Sequence, residues 1–227
     1  EYERRPNFEL FDKNGNAVPF TLCGVTHDVI HKTATQYVVD YVDICVSVDL
    51  LPCGYSELAV IPGDQTRRIR YIESQCVAPL TAENKFLRLH INGDGTVNLT
   101  DKRTGREFRN LLSYVDDGAI GDGWMHIRPA SDRIVFSQGS PCTIEKLYDG
   151  PAETAFRIIT RLRLPKVMED NGHHIHRSEE YVTVPIATTL RLGAENAFVD
   201  VETKIRNTAM DHRLKVCFPT DIPGDTY

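Results

Sequence analysis

No apolar run in these 227 residues approaches the roughly 20 needed to span a bilayer as a helix, and no signal peptide is visible. A membrane partner is therefore not expected. Basic runs are missing too. The formal net charge is -6, and the nearest thing to a basic patch (Arg157, Arg161, Arg163) reads as one side of an alternating strand. Nucleic acid is accordingly not an expected partner. There is no CxxC and no dense cysteine framework. Cys23, Cys45, Cys53, Cys76, Cys142 and Cys217 are scattered, as reduced buried thiols of a cytoplasmic protein would be. Gly-x-Ser-x-Gly, a cysteine nucleophile motif and a Gly-rich phosphate loop are all absent. No segment sustains a 3.6-residue apolar period, which excludes much helix. The chain opens on Glu1 without Met and ends in a Pro/Gly/Asp segment, so it reads as a piece of something longer.

What is present is alternation. Phe8, Leu10 and Phe11, then Val18, Phe20 and Leu22, suggest two short strands around an Asn14-Gly15 hairpin turn. The turn faintly resembles a calcium loop, but Ala17 and Cys23 stand where that loop requires Gly and Glu. Residues 37–48 predict a long buried strand and 56–61 another. Residues 67–79 are the candidate boundary between a leading β region (1–78) and a main domain (79–227). Residues 86–91, 96–100 and 107–111, with tight turns at Asn92–Gly95 and Asp101–Gly105, read as a β-meander. Long alternating strands follow at 154–164, 180–192 and 198–206, then Leu214, Val216 and Phe218. The expected fold is all-β, a large antiparallel sandwich with one face of each sheet in water, preceded by a smaller β region.

Three places invite chemistry. Asp116-Asp117-Gly118-Ala119-Ile120-Gly121-Asp122-Gly123-Trp124 packs three carboxylates, three glycines and the single tryptophan into a stretch that reads as a shaped loop. Carboxylates beside an aromatic ring suit a sugar, although an ordinary acidic surface loop has the same composition. His173-His174-Ile175-His176 with Glu179-Glu180 offers His174, His176 and Glu180 as a metal-like set resembling the cupin arrangement. The flanking glycines of that motif are replaced by Met168 and Ala187, and an exposed hairpin tip is the simpler explanation. Asp211-His212-Arg213 joins acid, base and cation, but neighbours on a strand point to opposite faces and cannot form a dyad.

Taken in order, several segments resemble the region after the catalytic barrel of glycoside hydrolase family 38, the α-mannosidases. They are Pro52–Tyr55, Glu83–Lys85, Asn92–Thr96, Asp101–Gly105, Asp116–Trp124, Asp149–Pro151, and Asp211–Leu214 running into Phe218–Thr220. The bacterial cytosolic branch, which includes mannosylglycerate hydrolases, is the nearest in pattern. The resemblance implies a β super-sandwich of the galactose-mutarotase-like kind that braces a separate barrel of the same polypeptide. It further implies that the nucleophile, the acid/base carboxylate and the zinc site of a retaining mannosidase lie in that barrel. None of those motifs occurs in this chain, so no catalytic residue and no cofactor is expected in it, and no activity of its own. The matching positions for a contribution to the sugar pocket are Asp116, Asp117, Asp122 and Trp124, with Arg213 as a weaker one. Two other functions remain open at this level: a stand-alone carbohydrate-binding module with Trp124 and Tyr114 as its platform, and a cupin-like metalloenzyme. Exposed edge strands would favour self-association.

Overall fold

A computed structural model describes residues 7–32, 35–50, 52–63 and 74–222. Every regular element among them is a β-strand, and every strand pairing defined in register is antiparallel. No helix among the described residues is long and apolar enough to cross a membrane. The chain divides into two compact units. The first runs to Lys85 and also takes in Lys146–Ala155 and Arg191–Val199; the second holds the remainder. The expected boundary segment 67–79 lies largely outside the described residues.

In the first unit, strand β1 (Phe8–Asp12) ends in the predicted turn, with Gly15 at φ 80°. That turn does not build a hairpin with the next strand. Beyond a single bridge from Phe11 to Ala17, β1 pairs with β4 (Leu58–Pro62). The ribbon of β2 (Phe20–Lys32) and β3 (Thr35–Val46) is a two-stranded sheet. The apolar run read as a buried strand is instead largely exposed: Val38 is 80% accessible, and Tyr37 and Tyr41 are also open. Among the described residues no further strand pairs with this ribbon, so β-propensity here reports strand formation without burial. At its base, buried Thr21 accepts the backbone N–H groups of Ala152 (3.0 Å) and Glu153 (3.1 Å) through its hydroxyl. Strands β5 (Cys76–Ala78) and β6 (Thr81–Glu83) complete the list, and Asn84 donates to the carbonyls of Gly193 (2.7 Å) and Asn196 (2.8 Å). These contacts explain why two later segments belong to this unit. The six thiols are all unpaired. None is fully buried and Cys53 is exposed, which corrects the expectation of buried cysteines.

The second unit opens with the predicted meander: β7 (Leu87–Ile91), β8 (Val97–Asp101) and β9 (Arg106–Leu111). Gly95 turns β7 into β8 at φ +83° while a Cβ there would stand 3.0 Å from Ile158, so both conformation and space demand glycine. Next along the chain come β10 (Ser113–Gly118), β11 (Val135–Phe136), β12 (Cys142–Asp149), β13 (Glu153–Pro165), the hairpin β14 (Met168–Asp170) and β15 (Ile175–Arg177), β16 (Tyr181–Gly193), β17 (Asp200–Ile205) and β18 (His212–Cys217), of which Lys146–Ala155 and Arg191–Gly193 belong to the first unit. The sheet β11-β10-β18 and the sheet β12-β13-β16-β17 share one apolar cluster of Tyr114, Leu162, Leu164, Val184, Ile186 and Ala209. Alternation makes this possible. Phe156, Ile158, Leu162 and Leu164 of β13 point inward, while Arg157, Arg161 and Arg163 stand outside. Each such aliphatic side chain contributes about 1.5–3 kcal/mol by burial, and Leu162→Ala would remove about 2–5 kcal/mol. Tyr114 belongs to this core, its hydroxyl 2.7 Å from that of Thr188. It therefore forms no sugar platform with Trp124.

Candidate functional site

The acidic stretch is not one loop. Its first three residues finish β10, which runs antiparallel to β18 with Asp117 opposite Arg213 and Gly118 opposite His212. Consecutive strand residues face opposite sides, so the two aspartates part. Asp116 is 0% exposed. Arg177 of β15 donates to its Oδ1, and His212 Nδ1 lies 2.5 Å from Oδ2. Arg177 also donates to the Arg133 carbonyl (3.0 Å). The other ring nitrogen of His212 faces Asn207 Oδ1 at 3.1 Å. On the opposite face Asp117 takes a two-pronged contact from Arg213, Nε at 3.1 Å and Nη2 at 3.0 Å, and a third from Lys215 at 2.6 Å. Burial alone would raise the Asp117 carboxyl; the hydrogen bonds and charges of Arg213 and Lys215 outweigh it and hold the group at about 2. These carboxylates tie β10 to β15 and β18.

The loop proper starts at Ala119. Ala119 N–H donates to the Asp211 carbonyl (2.9 Å), and Ile120 N–H donates to the Ile127 carbonyl (2.9 Å), closing the neck. Inside, Asp122 Oδ1 accepts the N–H groups of Trp124 (2.9 Å) and Met125 (2.8 Å), which lowers the pKa of that carboxyl. Such an Asx turn is what an aspartate followed by glycine favours. Gly121 lies against the Met125 carbonyl, where an added Cβ would collide with the backbone. The result is a shaped loop that holds Trp124 96% exposed, with Met125, Ile127 and Ile120 exposed around it. The indole and its neighbours form an exposed apolar patch on this loop.

Of the five rim candidates, Asp122 and Trp124 therefore stay together on the presented loop. At its foot Asp117 is engaged by Arg213 and Lys215, and Asp116 by Arg177 and His212. The signal for Arg177 and Lys215 was weak. Arg177 meets a partner 61 residues away in the chain, and Lys215 reads simply as the outward residue of an alternating strand.

The histidine cluster does not assemble. His174 and His176 lie with ring centroids 5.2 Å apart at the β14–β15 hairpin, and His176 Nε2 is 3.8 Å from Glu169. Glu180 turns away to Lys166, with oxygens at 2.9 and 3.0 Å. Among the described residues no group of three His, Cys, Asp or Glu side chains is placed to hold a metal. The cupin-like arrangement is thus not formed among the described residues.

The model of the "Glycosyl hydrolases family 38 C-terminal domain" matches residues 82–227. The chain belongs to this family. The "Putative mannosylglycerate hydrolase" of Halalkalibacterium halodurans is 26% identical over 154 residues, covering 62% of this chain and 17% of that protein. A crystal structure of a glycosyl hydrolase family 38 protein from Enterococcus faecalis superposes with a TM-score of 0.81 at 22% identity, covering 98% of this chain and 28% of that one. An α-mannosidase from Enterococcus faecalis V583 gives a TM-score of 0.78 at 21% identity, covering 98% and 27%. At those identities the structures establish the fold. The family 38 chain spans between about a sixth and somewhat over a quarter of the length of these relatives.

Proposed function

We propose that this chain is the β-rich supporting region of a family 38 α-mannosidase and that its Ala119–Ile134 loop supplies part of the sugar pocket. The observation that carries the reading is the loop itself: Trp124 is fully presented while Asp122 and Gly121 fix the backbone beneath it. A flat ring beside a carboxylate offers a sugar one stacking face and one acceptor. Bracing of a catalytic barrel is supported by apolar side chains left open on separate elements: Val29, Ile30 and Val38 of the β2–β3 ribbon, Ile134 at the end of the loop, and Phe136 of β11. A surface of this kind marks an interface. The relatives' names extend the substrate to α-mannosides or mannosylglycerate, and the six unpaired thiols are in keeping with a cytoplasmic setting.

The test is hydrolysis of an aryl α-mannoside by the full-length protein and its Trp124→Ala variant. The expected outcome is a raised KM in the variant. Unchanged kinetics would remove the loop from the pocket.

A further inference from the structure

A second surface of the second unit points to a ligand of a different charge. On the outer side of β13, Arg157, Arg161 and Arg163 are exposed. On the outer side of β17 stand Lys204 and, just past the strand end, Arg206. Strand β16 runs between them in the sheet order β12-β13-β16-β17. Between outward Tyr181 and Arg191, its outward residues are small or polar (Thr183, Pro185, Ala187, Thr189), because Val184, Ile186, Thr188 and Leu190 take the inward positions. The register is fixed at two points: the Arg206 N–H donates to the Pro185 carbonyl at 3.2 Å, and Arg163 stacks over the Tyr181 ring at 4.7 Å. The face is therefore a shallow trough, floored by β16 and walled by cations two strand spacings apart, about 10 Å.

Only part of the charge on this trough is used internally. Lys204 pairs with Glu202 at 3.0 Å, and Arg161 reaches only the neutral Thr143 hydroxyl at 3.2 Å. Among the described residues Arg157, Arg161 and Arg206 have no carboxylate partner, although acids outnumber bases in the chain, 32 to 26. Their collection on one face gives that face a positive field that favours an anion.

We propose that this trough binds an acidic polysaccharide whose sugars carry carboxylates. Guanidinium groups take carboxylates in two-pronged fashion, and the Thr183 and Thr189 hydroxyls on the floor suit sugar hydroxyls. Nucleic acid fits less well. The aromatic ring of this face, Tyr181, is covered by Arg163 and by Arg133 (5.9 Å), which leaves bases nothing to stack on. An acidic peptide fits less well too, since β16 is an interior strand with neighbours on both sides and offers no edge for backbone pairing. This inference does not rest on the role given to Trp124.

The experiment is calorimetric titration of the full-length protein with polygalacturonate at low salt, with poly-glutamate, single-stranded DNA and neutral mannan as comparators. Polygalacturonate is expected to bind in preference to all three. Its affinity should fall at least tenfold in the triple variant Arg157→Ser/Arg161→Ser/Arg206→Ser and stay unchanged in Trp124→Ala. The corresponding triple Lys variant, which keeps the charge, should retain part of the binding. If the serine triple fails to fold, each single Ser variant should weaken binding severalfold. Absence of polygalacturonate binding, equal binding by the serine variants, or equally tight binding of poly-glutamate or DNA would overturn the proposal.

Discussion

Asp116 and Trp124 lie in one short stretch of sequence, yet one is sealed in the protein and the other stands almost wholly in water. The first half of the stretch is a strand whose carboxylates are consumed by Arg177, His212, Arg213 and Lys215. The second half is a loop closed by its own backbone and by Asp122, with its largest apolar side chain turned outward. The contrast teaches that a run of acids and glycines can hold two devices in series, an ionic anchor and a presented ring. The changeover falls at Gly118, where β10 and its pairing with β18 end and Asp132 accepts the Gly118 N–H at 3.0 Å.

The largest effect should come from the anchor. Asp116→Asn leaves the buried Arg177 guanidinium without its countercharge, and breaking a buried pair from one side costs about 3–5 kcal/mol. In a chain of this size that lowers the melting temperature by roughly 10 °C or more, measurable by calorimetry. A melting temperature within a degree of wild type would erase the distinction between the halves.

Asp117 sharpens the same side of the comparison through pH. Its folded pKa of about 2 lies below the ordinary 3.8, so its pairing stabilises the fold fully above the ordinary value. That contribution, on the order of 2 kcal/mol, is lost as pH falls from about 4 through about 2. Wild type and Asp117→Asn should therefore differ in stability at pH 6 and converge near pH 2. A difference that persists at pH 2 would mean the carboxylate is held by something other than its charge.

The presented half should respond in activity. Loss of a stacking ring is worth about 0.5–1.5 kcal/mol, so Trp124→Ala should raise KM for an aryl α-mannoside by up to roughly tenfold in the full-length protein. The smallest effect belongs to Asp122→Ala, which removes two backbone contacts but leaves the ring in place. A severalfold rise in KM with no change in melting temperature is expected. An equal loss in stability would place Asp122 with the anchor.

Much of this fold could be read from the residues. The meander of β7, β8 and β9 announces itself because clean alternation is punctuated by Asn-Gly-Asp-Gly and Thr-Gly turns, both local signals. The long strands β13 and β16 were legible for the same reason. What stayed hidden was non-local. Nothing in Phe8–Asp12 says that its partner is Leu58–Pro62, far along the chain, and the turn beside it argued for the wrong neighbour. The Val/Ile/Tyr run of β3 looked buried because apolar content alone does not reveal that only one strand lies beside it. Asp116 and Asp117 looked like loop acids because the partners that neutralise them arrive from β15 and β18.

The most direct test pairs two variants with two readouts: melting temperature and aryl α-mannoside kinetics for Asp116→Asn and Trp124→Ala in the full-length protein. The account predicts a crossed pattern, with Asp116→Asn lowering the melting temperature sharply while Trp124→Ala leaves it unchanged and raises KM. If both variants move the same readout to the same extent, the division of the stretch into anchor and presented ring is contradicted.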